Sequence, residues 1–96
     1  MRLIYSKSAD QTLTELESNP HRAKVHRAVK KTLGLMEVNL RHPSLNTHKY
    51  SSLKGSHGED IFESYAQNKT PGAYRVFWHY GPSKNEITIV SITPHP

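Results

Sequence analysis

The sequence contains no cysteine and no long apolar run, and each absence excludes a class of protein. Without cysteine the chain has no disulfide framework, no thiolate nucleophile and no cysteine-ligated zinc site. Without a long apolar run it has no predicted transmembrane helix. The N-terminal RLIYS is too short and too quickly polar for a signal peptide. We therefore expect a cytoplasmic protein.

The remaining composition indicates one small basic domain. Only 34% of the 96 residues are hydrophobic, which allows a single modest core. Thirteen Lys and Arg residues against eight Asp and Glu residues give a formal net charge of +5. Such a balance favours polyanionic partners, namely RNA, DNA or an acidic protein. An ordinary solubilising charge is the alternative, because a basic composition alone discriminates weakly between these classes.

The C-terminal third of the chain carries the clearest secondary-structure pattern. Residues 73–80 (AYRVFWHY) and 86–93 (EITIVSIT) are rich in aromatic and β-branched residues, which predicts two strands. The intervening GPSKN has the composition of a hairpin turn. Because side chains alternate across a strand, one face of the first strand has the composition of a core: Tyr74, Val76, Trp78 and Tyr80. The other face carries Arg75, Phe77 and His79, which suit contacts to phosphates and bases.

The first half of the chain predicts a strand followed by two helices. Residues 1–6 read as a strand, and residues 8–11 (SADQ) form a capping box with Ser8 as the N-cap. Residues 19–20 (Asn-Pro) predict the start of a longer helix that ends at residues 42–43. Its apolar stripe consists of Val25, Val29, Leu33, Met36 and Leu40. Its basic face, which either is solvated or contacts an acidic partner or RNA, consists of Arg22, Lys24, Arg27, Lys30 and Lys31.

Residues 44–59 form a polar stretch with two glycines and no clear period. We expect an irregular connection, which at this length is often functional. Its expected anchors to the core are Leu45, Tyr50 and Leu53. Residues 61–66 follow as a strand that carries Glu63 and Tyr65 on one face.

The seven histidines raise the question of a metal site. No two of them have a convincing ligand pairing with a supporting carboxylate, and no cysteine contributes. We therefore expect neither a metal nor a cofactor.

The order of elements, with Tyr74-Arg75 followed by Val76-Phe77-Trp78 in a C-terminal meander, resembles the RelE/ParE toxin superfamily. Its members are the toxin halves of bacterial toxin–antitoxin pairs. The resemblance implies a single α+β domain over residues 1–96, in the order β-α-α-β-β-β. It further implies a curved, mostly antiparallel sheet with a helix hairpin packed on one face.

The resemblance also implies a metal-free ribonuclease site. The family places a phosphate-contacting arginine at the position of Arg75, and YoeB-like members use a near-terminal histidine, here His95, in proton transfer. Separately from the resemblance, Glu63 and Tyr65 are candidate acid/base or orienting groups if their face of the sheet is that of Arg75. In the alternative, Arg75 pairs with Glu63 across the sheet and His95 is a terminal residue without a role. Replacement of Arg75 by alanine is expected to abolish toxicity and to leave the fold intact.

Four further residues are candidate substrate contacts: His79, Phe77, Lys54 and Lys49. Phe77 is the candidate for stacking on a base, while His79 is equally well explained as a satisfied surface histidine. The two lysines would supply the charge that RelE-like members obtain from paired lysines, which this chain lacks. Pro96 stands where a terminal tyrosine lies in some members.

The expected function is that of a RelE-like toxin, a metal-independent endoribonuclease that cleaves mRNA on the ribosome and is neutralised by a cognate antitoxin. Two alternatives stay open. One is a ParE-like toxin that inhibits DNA gyrase, which the missing lysines and tyrosine favour. The other is a non-catalytic member that binds only an antitoxin or RNA.

Overall fold

The computed structural model describes residues 1–95 and places two α-helices on one face of a five-stranded sheet. The elements in chain order are β1 (Arg2–Tyr5), α1 (Lys7–Ser18), α2 (Ala23–Val38), β2 (His48–Lys54), β3 (Asp60–Tyr65), β4 (Tyr74–Tyr80) and β5 (Glu86–Pro94). The strand order across the sheet is β1-β5-β4-β3-β2. β1 runs parallel to β5, and the other pairs are antiparallel. The expected α+β class and mostly antiparallel sheet are confirmed.

The core lies between the sheet and the helix pair, as the two apolar patterns predict. α1 packs on β5 and on α2, and α2 packs on β4. The stripe of α2 and the core face of β4 belong to one buried cluster, whose members include Val29, Leu33, Met36, Val76 and Trp78. Burial of this kind contributes about 25 cal/mol for each Å² of apolar surface removed from water. The hydrophobic pattern therefore fixes which face of the sheet the helices cover.

One strand is missing from the predicted order of elements. Residues 48–54, which the sequence indicates as an irregular connection, form the edge strand β2. Its pairing with β3 is interrupted between Lys49 and Lys54. Most of its side chains are exposed, so no hydrophobic alternation marks it in the sequence. Three residues of the stretch 44–59 were expected to anchor it to the core. Leu45 is buried, Leu53 is exposed, and Tyr50 contacts Phe77 on the sheet face away from the helices.

Both helix starts differ from the predicted ones by a few residues. Ser6, not Ser8, caps α1, and its Oγ accepts a hydrogen bond from the N–H of Ala9 at 3.0 Å. β1 ends at the residue before this cap, so the chain turns directly from strand to helix. Asn19 caps a 3₁₀ turn (Pro20–Arg22) that leads into α2. Within residues 1–95, no helix has the length and apolarity needed to cross a membrane.

Candidate functional site

The candidate site lies on the helix-free face of the sheet, which is the face opposite α1 and α2. In the β3–β4 register, Tyr65 pairs with Arg75 and Glu63 pairs with Phe77. Paired residues point to the same face, and these four point away from the core. Arg75, Glu63 and Tyr65 lie together there with His48 of β2, and we call these four side chains the Arg75 cluster.

Arg75 is held tightly inside this cluster. Only 6% of the residue is exposed. Its Nη1 donates to the carbonyl oxygens of Gln67 at 2.5 Å and Tyr74 at 3.4 Å. Its Cζ lies 3.6 Å from the ring centroid of Tyr65, a cation–π contact that supports the guanidinium from one side. The chain therefore fixes the orientation of this cation.

Arg75 and Glu63 face each other at the centre of the cluster. Nε of Arg75 lies 3.7 Å from Oε2 of Glu63, and both residues are buried. Neither atom has a hydrogen-bond partner among the described residues. The ion pair that the sequence leaves as an alternative reading of Arg75 is thus present, but as a charge contact longer than a hydrogen bond. The buried donor Nε and the buried acceptor Oε2 therefore face each other without a hydrogen bond.

The other carboxylate oxygen of Glu63 binds a residue that sequence reasoning missed. His48 Nε2 lies 2.6 Å from Oε1 of Glu63, and the imidazole is half exposed. Its ring also stands edge-on to Tyr65, with centroids 5.9 Å apart. The available signal was the two-residue spacing of His48 and Tyr50, which places both on one face of a strand. It was missed because this stretch was not recognised as a strand.

Phe77 does not present an open ring face. The residue is 4% exposed, and the ring of Tyr50 stands edge-on to it at a centroid distance of 5.0 Å. Stacking of a nucleobase on Phe77 therefore requires displacement of Tyr50. Tyr50, which is half-buried, is the aromatic ring of this pair closer to solvent.

His79 is buried and lies outside the Arg75 cluster. It is four residues from Arg75 on the same strand, about 13 Å at the usual rise, with Phe77 between them. Its Nδ1 donates to the carbonyl oxygen of Tyr80 at 2.8 Å. It faces the β2–β3 turn, where Glu59 has a pKa held below its usual value, chiefly by the backbone N–H groups of Glu59 and His57 and to a lesser degree by His79.

Lys49 and Lys54 are bound to Asp60 rather than to the Arg75 cluster. Nζ of Lys49 lies 3.3 Å from Oδ2 of Asp60, and Nζ of Lys54 hydrogen-bonds Oδ1. These hydrogen bonds, first that of Lys54 and then that of Lys49, hold the pKa of Asp60 below its usual range. The structure therefore does not bring either lysine to Arg75. Their role as substrate contacts stays a prediction.

His95 lies at the same end of the sheet as Arg75. Thr93 pairs with Arg75, and the N–H of His95 donates to the carbonyl oxygen of Ala73 at 2.7 Å, so pairing continues past the end of β5. Alternation from Thr93 puts His95 on the helix-free face. The residue is exposed. Pro96, the residue in the position of the family's terminal tyrosine, lies outside the described residues.

Among residues 1–95, no three His, Asp or Glu side chains are grouped so that they could hold a metal ion. The chemistry that the Arg75 cluster offers is that of a fixed cation, a buried carboxylate and a half-exposed imidazole.

Comparison with solved structures places the whole chain in one fold. It superposes on the YoeB/ParE toxin from Agrobacterium tumefaciens with a TM-score of 0.70 at 10% identity, over 100% of both chains. It superposes on the RelE toxin structure from Pyrococcus horikoshii OT3, solved as a RelE–RelB complex, with a TM-score of 0.64 at 18% identity, over 97% of this chain and 92% of the other. The Staphylococcus aureus YoeB–YefM complex gives 0.62 at 16% identity, over 100% and 98%. No protein-family profile and no curated protein matches the sequence.

These superpositions span essentially the entire chain, so they cover the sheet, both helices and the strands that carry the Arg75 cluster. At such low identity, they establish the arrangement of the backbone and not the chemistry of the side chains. The resemblance seen in the sequence is confirmed at the level of the fold: this chain has the fold of the YoeB, RelE and ParE toxins.

Proposed function

We propose that this chain is the toxin of a type II toxin–antitoxin system and that it cleaves mRNA on the ribosome as a metal-independent endoribonuclease. The observation that carries the proposal is the buried pair formed by Nε of Arg75 and Oε2 of Glu63, each without a hydrogen-bond partner among residues 1–95. A hydroxyl group can accept a hydrogen bond from the first atom and donate one to the second. The ribose 2′-hydroxyl of RNA is such a group.

The proposed reaction needs a base, a cation and an acid. Oε2 of Glu63 takes the proton of the 2′-hydroxyl, and the 2′-oxygen attacks the adjacent phosphorus. Arg75 stabilises the negative charge that gathers on the phosphate oxygens, because its guanidinium stays charged and its orientation is fixed. His95, at the same end of the sheet, donates a proton to the departing 5′-oxygen. The products are a 2′,3′-cyclic phosphate and a free 5′-hydroxyl.

Access to this pair requires a local opening. Arg75 and Glu63 are buried, whereas His48 is half exposed and Tyr65 is half-buried. RNA therefore enters where these two rings form the rim. Tyr65 would orient the substrate there, and Tyr50, lying over Phe77, would be the stacking ring. His79, Lys49 and Lys54 are proposed as more distant contacts to the strand.

The proposed partner is an acidic antitoxin. Two of the similar structures are complexes with the proteins RelB and YefM. This chain has a net charge of +5. Its helix α2 and the turn before it present five exposed cations, none of which forms an ion pair with another of the described residues: Arg22, Lys24, Arg27, Lys30 and Lys31. An acidic segment would neutralise this face, and the toxin would act in the cytoplasm, where ribosomes are found.

A second candidate function is inhibition of DNA gyrase without cleavage of RNA. It is favoured by the burial of Arg75 and by the engagement of Lys49 and Lys54 with Asp60, which leaves few mobile cations near the carboxylate. A protein that binds only antitoxin or RNA fits the same observations. These alternatives differ from the nuclease in one measurable product, the newly cut mRNA end.

Induced expression in bacteria tests the proposal, with growth followed and mRNA ends mapped by primer extension. We expect growth arrest and new ends within translated regions for the wild type and for Lys84→Ala, which removes an exposed cation of the β4–β5 turn. We expect no new ends for Glu63→Gln. Arrest without new ends but with DNA damage would select gyrase inhibition, and unchanged growth would select the binding-only alternative.

A further inference from the structure

His48 occupies a position between two hydrogen-bond acceptors. Its Nδ1 lies 3.1 Å from the carbonyl oxygen of Asn46, and its Nε2 lies 2.6 Å from Oε1 of Glu63. A carbonyl oxygen only accepts, so Nδ1 carries a proton. The two contacts fix both ring nitrogens and therefore the orientation of the imidazole.

The carboxyl group of Glu63 lies between side chains of two neighbouring strands. Nε of Arg75 lies 3.7 Å from its Oε2, and an arginine side chain stays charged. Nε2 of His48 lies 2.6 Å from its Oε1, which is hydrogen-bond distance. The buried carboxyl group is therefore contacted on one oxygen by β2 and on the other by β4.

We propose that His48 is a positioning residue for Glu63: its imidazole ring holds Oε1 and thereby keeps Oε2 directed at Arg75, open to the substrate hydroxyl. This inference rests on the proposed nuclease function and assigns a role to a side chain outside the expected site. The edge-on ring of Tyr65 limits rotation of the imidazole. The hydrogen bond to Asn46 fixes the ring from its other side.

Two variants separate positioning from mere packing. His48→Gln keeps an N–H donor toward Glu63, whereas His48→Ala removes the donor. We expect His48→Ala to lower kcat about 10- to 100-fold, the factor expected for loss of one hydrogen bond to a charged group, with little change in KM. We expect His48→Gln to recover part of this loss in kcat. His57→Gln is the matched control, because His57 also lies beside a carboxylate, that of Glu59, but is largely exposed.

The test combines kcat and KM of RNA cleavage for these variants with ¹⁵N NMR of the histidine rings in the whole folded chain. We expect the ring signals of His48 to change in Glu63→Gln while those of His57 stay as in the wild type. A kcat of His48→Ala equal to that of the wild type, or no recovery of kcat in His48→Gln, overturns the positioning role alone. Absence of cleavage by the wild type overturns the nuclease and the positioning role together.

Discussion

Arg75 and Glu63 face each other in the interior of the sheet at 3.7 Å, with the facing atoms, Nε and Oε2, free of hydrogen bonds to any residue of the described range. A buried ion pair is weak evidence for stability, because desolvation offsets the Coulomb attraction. Leaving a donor and an acceptor open in addition costs free energy. Binding of a hydroxyl group would satisfy both atoms.

The first prediction concerns the stability contributed by this pair. Arg75→Ala leaves the buried carboxylate of Glu63 with only His48, so we expect the free energy of unfolding to fall by about 3–5 kcal/mol. The expectation from sequence, that this substitution leaves the fold intact, is therefore revised by the burial of the arginine. Adding Glu63→Gln removes the unpaired charge and should restore part of the loss.

A double-mutant cycle in denaturant measures this coupling, with Arg75→Ala, Glu63→Gln and the double variant compared with the wild type. We expect the double variant to be more stable than Arg75→Ala alone, while all three lose RNA cleavage. Additive losses of stability would show that the two charges do not interact in the folded chain.

The second prediction concerns the ring beneath the arginine. Tyr65 contacts the guanidinium of Arg75 through its ring, 3.6 Å from the centroid to Cζ. Tyr65→Phe keeps the ring, so its unfolding midpoint should stay near that of the wild type. Tyr65→Leu removes the cation–π contact and should cost about 1–2 kcal/mol. Denaturant titration distinguishes them, and equal losses for both variants would mean that the hydroxyl, not the ring, matters.

The third prediction is a pH dependence located at the β2–β3 turn. Lys54 and Lys49 lower the pKa of Asp60 in the folded chain. A carboxyl group with a lowered folded pKa stabilises the fold above its unfolded pKa, about 3.9, and this contribution is lost as the pH falls through the folded pKa. Asp60→Asn should therefore be less stable than the wild type at neutral pH and should approach it under acid conditions.

Denaturant midpoints measured at neutral pH and near pH 2 check this window. Glu15→Gln is the control, because Glu15 is an exposed carboxylate of α1 with no ion pair to another described residue. A pH-independent difference between Asp60→Asn and the wild type would exclude the lysine contacts as its source.

The fourth prediction concerns a buried polar contact on the core side of the sheet. Nε1 of Trp78 donates to Oγ of Ser64 at 2.9 Å, and Thr47 reaches the same oxygen at 2.7 Å. Both Ser64 and Trp78 are fully buried. Ser64→Ala leaves the indole N–H without an acceptor and should cost about 1–3 kcal/mol.

Fluorescence reports this change directly, because Trp78 is the single tryptophan of the chain. We expect an altered emission spectrum and a lower unfolding midpoint for Ser64→Ala. Ser52→Ala, an exposed position in β2, should match the wild type in both. An unchanged midpoint for Ser64→Ala would show that another acceptor replaces the serine.

The elements that could be predicted are those whose buried side chains leave a hydrophobic pattern in the sequence. α2 has an apolar stripe, and β4 and β5 are rich in aromatic and β-branched residues, so the sequence indicates both their type and the face that packs into the core between helices and sheet. β2 lacks such a mark because it is an exposed edge strand, formed by backbone pairing with β3. Its absence from the prediction is the reason that His48 was missed.

The candidate site was predictable only as far as alternation reaches. Alternation places Glu63 with Tyr65 on one face of β3 and Arg75 with Phe77 on one face of β4. Only the register of the two strands shows that these are the same face of the sheet. Alternation does not reveal that Arg75 is buried, because the burial of its side chain depends on the ring of Tyr65 and on how the preceding strand pairs with β4. Nor does it reveal that Lys49 and Lys54 pair with Asp60, since this depends on a turn whose geometry is not encoded in the spacing.

The most direct test of the central claim is cleavage of mRNA in purified translating ribosomes, with the cut ends identified chemically. We predict that the wild type produces fragments ending in a 2′,3′-cyclic phosphate, and that Glu63→Gln, with its folded state verified by its unfolding midpoint, produces none. Equal cleavage by the wild type and Glu63→Gln would contradict the account, because the carboxylate that faces Arg75 would then have no part in the chemistry.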